Sequence, residues 1–129
     1  MTTAATTATT ATATVEVLSE GRWLPVCAAD ALVPGRGVAA LLPDGRQIAV
    51  FLDRTGAAYA IGNRDPFTGA YVLSRGLLGS AGGSAFVASP LLKQRFDLRT
   101  GRCLDDDDDA RAVPVYPARR RPAAAAPAS

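Results

Sequence analysis

A chain of 129 residues, 48% of them hydrophobic and 20% charged, can build one core but not two. Its net charge of +2 comes from the C-terminal end, because residues 15–117 hold 11 of the 14 bases against all 12 acids, a net of −1. With no basic stripe and no interleaved aromatics this argues against nucleic-acid binding, and no apolar run approaches the ~20 residues of a membrane span.

Residues 1–14 alternate Thr with Ala and lack the basic and apolar segments of a signal peptide, so the expected location is the cytoplasm. This head has nothing to bury and is expected to be disordered, as is the Arg/Pro/Ala tail of residues 118–129. Between them, residues 15–117 form the expected folded unit. Twelve Gly and nine Pro in the chain point to a turn-rich, all-β architecture. Arg22 to Val26 reads as a strand that Pro25 confines to a sheet edge or a strand end. Gly37 to Leu42 is apolar and ends at Pro43-Asp44-Gly45, where Pro presets φ and Gly accepts a positive φ. Gln47 to Leu52 follows, turns at Asp53-Arg54-Thr55-Gly56 and returns as Ala57 to Ile61, a three-stranded meander.

Residues 62–83 are broken by glycines and by Asp65-Pro66, leaving room only for a helical turn within Tyr71 to Leu78. Ala85 to Ala88 and Arg95 to Leu98 read as strands, and Thr100-Gly101 turns the chain into Cys103-Leu104. Asp105 to Asp109 is a solvated loop, and Val113 to Tyr116 closes the domain as a last strand. No segment is amphipathic over enough residues for a stable surface helix.

Few residues could carry chemistry. The chain has no histidine, so Ser89 has no ordinary base, and Lys93 has no context that would make it one. Gly82-Gly83 lacks the strand–glycine–helix setting and the lysine of a phosphate cradle. The five-Asp run lacks the glycine and the twelfth-position glutamate of a calcium loop. Asn63 and Asp65-Pro66 are turn formers before they are functional groups. Cys27 and Cys103 form no CxxC pair and read as reduced structural thiols. Trp23, Phe51, Tyr59, Phe86 and Phe96 are the expected core aromatics, and no catalytic or cofactor-binding residue is expected.

The run from Ser89 through Pro90, Leu91, Leu92, Lys93, Gln94 and Arg95 to Phe96-Asp97, followed by Thr100-Gly101, resembles the second ligand loop of Rieske proteins. That loop reads Cys-Pro-x-His-Gly-x-x-Phe-Asp and then Thr-Gly. Asn63-Arg64-Asp65 stands where the first loop has Cys-x-His. Asn63 and Ser89 thus take the cysteine positions, and Asp65 and Leu92 the histidine positions. A Rieske centre needs two thiolates on one iron and two imidazoles on the other. This chain is expected to bind no cluster and no other metal.

The strings from Asp65 to Ala70, Val72 to Gly76, Val87 to Gln94 and Arg95 to Leu104 resemble a narrower family, the small subunit of assimilatory NAD(P)H nitrite reductase. The likeness spans about Trp23 to Tyr116; the Thr/Ala head, the five-Asp run and the Arg/Ala tail depart from it. It implies a Rieske-like antiparallel sandwich or barrel with a small cluster-binding-type subdomain, residues 62 to about 98. It also implies a chain without cofactor that docks on and stabilises a large subunit. That subunit would carry FAD, a four-iron cluster and sirohaem and reduce nitrite to ammonia. Phe67, Tyr71, Arg75, Lys93, Gln94 and Arg95 are candidate contacts to it, arginine being suited to bidentate pairing at interfaces. For the charged candidates the alternative is solvated surface, or for Arg75 bonding within its own loop; for Phe67 and Tyr71 it is packing into the loops. Two rival functions are a free-standing, cluster-less interaction module and an electron-transfer ferredoxin, which would be coloured by iron.

Overall fold

The computed structural model describes residues 13–122, so most of the head and part of the tail expected to be disordered lie outside the described residues. Ten strands follow in order: β1 (Thr14–Ser19), β2 (Arg22–Ala28), β3 (Gly37–Leu41), β4 (Gln47–Leu52), β5 (Ala58–Gly62), β6 (Leu77–Ala81), β7 (Ser84–Ala88), β8 (Arg95–Asp97), β9 (Val115–Tyr116) and β10 (Ala118–Arg121). The helical elements among the described residues are single 3-10 turns at Ala29–Ala31, Leu73–Arg75 and Asp109–Arg111. The strands make three antiparallel sheets ordered β10-β1-β2, β3-β4-β5-β9 and β6-β7-β8.

The sequence of β4 explains how the sheets stack. Side chains alternate across a strand, and here Ile48, Ala49, Val50 and Phe51 are all fully buried. Ile48 and Val50 join a cluster with Val15 and Val17 of β1, while Ala49 and Phe51 join another with Leu73, Val87 and Phe96. Ala60 and Ile61 of β5 divide in the same way. The meander is therefore the middle layer, with β10-β1-β2 on one face and β6-β7-β8 with its loops on the other. Its turns form as expected: Gly45 and Gly56 take φ of 92° and 91°, and the Asp53 carboxylate accepts the Thr55 and Ala57 amides.

Four readings change. The tail is not all irregular, because Ala118–Arg121 pairs along β1 from Val17↔Ala118 to Thr14↔Arg121. The physical reason is a charged clasp: Arg119 donates to Glu16 at 2.8 Å and stacks 4.0 Å over Trp23, with Arg121 3.5 Å from the same carboxylate. Trp23 and Phe86 are accordingly half-buried, beneath Arg119 and Arg95, rather than in the core. The glycine-rich stretch hides β6, whose hairpin to β7 turns on Gly82 and Gly83, both at positive φ. Cys103 makes only an isolated bridge to Phe96, so Cys103-Leu104 is not a strand. Both thiols are free, and burial pushes both above the ordinary cysteine value.

Candidate functional site

The first loop, residues 63–71, leaves β5 at Gly62. Asn63 is buried and ties the loop down: its side-chain oxygen accepts the Ser74 amide at 2.7 Å, and its Nδ2 donates to Gln47 at 3.3 Å. Asp65 is fully buried; its Oδ1 accepts the Phe67 amide at 2.8 Å, the turn expected of Asp before Pro. Its Oδ2 accepts the Ser89 hydroxyl at 2.6 Å. Ser89 opens the second loop, residues 89–94, and is itself buried. Its amide donates to the Gln94 carbonyl at 2.8 Å, its carbonyl accepts the Lys93 amide at 3.1 Å, and its Oγ accepts the Leu91 amide at 3.3 Å. Three of the four vacant ligand positions are thus spent on holding the loops in place, and Asp65–Ser89 joins one loop to the other.

The fourth position differs. Leu92 does not fill the space between the loops; it stands 55% exposed at the tip, with Leu91 49% exposed beside it. The turn that lifts them into solvent passes through Lys93 at φ 67°. In the Rieske pattern Lys93 stands at the glycine, so the backbone keeps a left-handed conformation that a lysine adopts at a cost of about 1–2 kcal/mol.

The donor atoms do not fit a two-iron cluster. An amide, a carboxylate, a hydroxyl and a hydrocarbon replace two thiolates and two imidazoles, and the three polar groups are already hydrogen-bonded. Cys27 lies in β2 and Cys103 beyond β8, outside both loops. A shallow groove of about 550 Å³ runs beside the first loop, past Arg46, Arg64, Tyr71 and Tyr116. Among the described residues the carboxylate lining it is Asp44, which is paired with Arg46 at 2.6 Å. The acidic run makes local turns through Asp106 and Asp108, and among the described residues no three candidate ligands converge on a cation site.

The six candidate contacts separate. Tyr71, Arg75 and Lys93 are exposed, and neither cation makes an ion pair among the described residues. Phe67 folds inward against Phe96, 6.2 Å between ring centroids, with Arg111 stacked 4.9 Å over it. Gln94 is half-buried, its Oε1 enclosed without a donor. Arg95 is engaged within the chain: it grips Asp105 through Nη2 at 2.8 Å and Nε at 3.3 Å. Asp105 is therefore an anchor for β8 and not merely a solvated acid. The sequence reading missed Leu77, 67% exposed at the start of β6, because that strand went unseen.

Residues 22–124 match the family model of the Rieske-like [2Fe-2S] domain. The chain is 46% identical over 87 residues to the nitrite reductase (NADH) small subunit of Salmonella typhimurium, covering 67% of this chain and 80% of that one. It is also 50% identical over 95 residues, 72% of this chain, to one tenth of the nitrite reductase [NAD(P)H] large subunit of Klebsiella oxytoca. A Mycobacterium tuberculosis structure assigned as an NADH-dependent nitrite reductase small subunit superposes with a TM-score of 0.69 at 50% identity, covering 83% of this chain and 86% of that one. The Escherichia coli protein NirD superposes with a TM-score of 0.65 at 42% identity, covering 74% and 86%. The chain is thus an all-β member of the Rieske-like domain family and belongs, within it, to the small subunits of NAD(P)H nitrite reductase.

Proposed function

We propose that this chain works as a subunit without a redox centre of its own, docking on a large nitrite reductase subunit and stabilising it. Electrons from NAD(P)H then pass through FAD, a four-iron cluster and sirohaem on the large chain, where nitrite becomes ammonia. The setting would be cytoplasmic nitrate assimilation. One observation carries this reading: the domain matches free small subunits and also a segment of the Klebsiella oxytoca large subunit. A unit that occurs both free and joined to the catalytic chain is one that works against that chain. The donor set supports the same division of labour, since the loops offer neither the thiolates nor the imidazoles of a Rieske cluster.

Co-purification of the tagged full chain from its native host tests the proposal. The expected result is a yellow-brown complex with a flavin and sirohaem polypeptide that reduces nitrite with NAD(P)H. The isolated small chain should show no absorbance beyond the aromatic band. Recovery of this chain alone, with the reductase fully active in its absence, would assign it instead to a free-standing interaction module. Stoichiometric iron and acid-labile sulfide in it would restore the ferredoxin reading.

A further inference from the structure

The start of β6 adjoins the base of the second loop. Leu77 pairs with Ala88, the residue before Ser89, so it adjoins the base of the loop that carries Leu91 and Leu92. Gly76 makes this closeness possible, because a side chain there would meet the Ala88 carbonyl. Two exposed leucines side by side in the loop, with a third on the strand that pairs beside its base, are a different matter from leucines scattered singly. The segment that carries the leucines is basic, and the acidic run meets it at Arg95, which holds Asp105. Between Asp65 and Asp97 the sequence contains no acid, while Arg75, Lys93 and Arg95 are basic. Asp65 is buried and Arg95 is occupied by Asp105, which leaves Arg75 and Lys93 as the free charges of the tip. Lys93, moreover, is kept in a backbone conformation that glycine would hold without strain.

We infer that Leu77, Leu91 and Leu92, flanked by Arg75 and Lys93, are the surface that seats on the large nitrite reductase subunit, against an apolar patch rimmed by carboxylates. This rests on the partnership proposed above. A second copy of the chain is a poor occupant, since two tips facing each other would bring like charges together around the leucines. The large subunit is the occupant that the Klebsiella oxytoca chain favours, where a homologous domain and the large subunit are one polypeptide. Leucines in the centre would supply the affinity, and the two cations would set orientation and association rate.

The test measures binding of the full chain to the purified large subunit from the same source. Leu91→Glu/Leu92→Glu should weaken the complex about 100-fold, as loss of a central apolar anchor does. Arg75→Glu/Lys93→Glu should weaken it about 10-fold at low salt and much less at about 0.5 M salt, where rim charges are screened. Arg22→Glu, an exposed charge outside both loops, should stay within about twofold of wild type. Unchanged melting curves would show the variants folded, and Leu91→Ser/Leu92→Ser replaces the glutamates if they shift it. Wild-type affinity in every tip variant would place the interface elsewhere while leaving the partnership intact. Failure of the wild-type chain to bind would overturn the partnership and this surface together. A concentration-dependent dimer abolished by the same variants would make the occupant a second copy and overturn the assignment.

Discussion

Asp65 and Glu16 are the two buried carboxylates of the described residues, and they are held in opposite ways. Asp65 joins two loops through neutral donors, a hydroxyl and a backbone amide, with no ion pair among the described residues. Glu16 joins two strands through two guanidinium groups that remain half-exposed or more. The first arrangement fixes the shape of the loop tip; the second fixes the end of the chain to the sheet. Polar burial serves both, but only the first stands at positions where the Rieske pattern has its metal ligands.

Cutting the chain after Pro117 should separate the two most sharply. It removes β10, its ladder along β1 and the partners of Glu16. A loss of about 3 kcal/mol is expected from the strand's hydrogen bonds and the apolar surface beneath it. The urea midpoint measures this, and an unchanged midpoint would show that β10 adds nothing. The loops should stay clasped in the truncated protein, so association with the large subunit should weaken far less than stability.

Removing the other clasp tests the loops. Asp65→Ala leaves the Ser89 hydroxyl and Phe67 amide without their acceptor in a buried site, at about 2–3 kcal/mol. Ser89→Ala alone should cost less, and the double variant less than the sum of the two, because both remove one hydrogen bond. Strict additivity would mean that the 2.6 Å contact carries no coupling. Here binding should fall along with stability, since the tip loses its frame.

How much of this could be read beforehand differs between the two ends. The meander was legible because Gln47 to Leu52 is a continuous apolar run between two turns with clear residue chemistry. The loops were legible because Pro90, Phe96, Asp97, Thr100 and Gly101 keep their positions, and structure gives them work. Asp97, for one, accepts the Arg99 and Thr100 amides, and Gly101 takes φ 77° against the Val113 carbonyl. Which vacant position faces solvent was not legible, because it depends on the left-handed turn at Lys93 that replaces a glycine. The tail was misread because composition weighs apolar burial alone. Arg119 earns its place by stacking on an indole 96 residues earlier in the chain and pairing with a glutamate, and neither contact leaves a periodic signal. The Glu20-Gly21 and Gly82-Gly83 pairs were the available hairpin signals for β1–β2 and β6–β7; all four residues have positive φ.

Lys93→Gly sharpens the contrast at smaller scale. It relieves the left-handed strain but adds freedom to the unfolded chain, so stability should rise by no more than about 1 kcal/mol. Lys93→Ala removes the same side chain and keeps the strain, so it should not stabilise. Thermal melts of the pair check this. If Lys93→Gly instead loses the roughly 0.4–1 kcal/mol that added freedom of the unfolded chain alone would cost, the conformation at Lys93 carries no strain and the argument from it fails.

The smallest effect concerns pH. The Arg119 hydrogen bond, opposed by burial and aided by Arg121, holds the Glu16 carboxyl below the ordinary carboxylate value. A carboxylate depressed in the folded state binds its proton more readily once unfolded, so its stabilisation is complete above the unfolded pKa of about 4.3. It is lost as pH falls through the lower folded value. Wild type should therefore lose stability between about pH 5 and pH 3 faster than Glu16→Gln, which has no proton to take up there. The difference should shrink in salt, because the guanidinium groups face water. Parallel acid limbs for the two proteins, measured as urea midpoints, would mean that Glu16 titrates alike folded and unfolded. The tail strand would then be held by its backbone ladder and by Arg119 on Trp23, not by its pairing with Glu16.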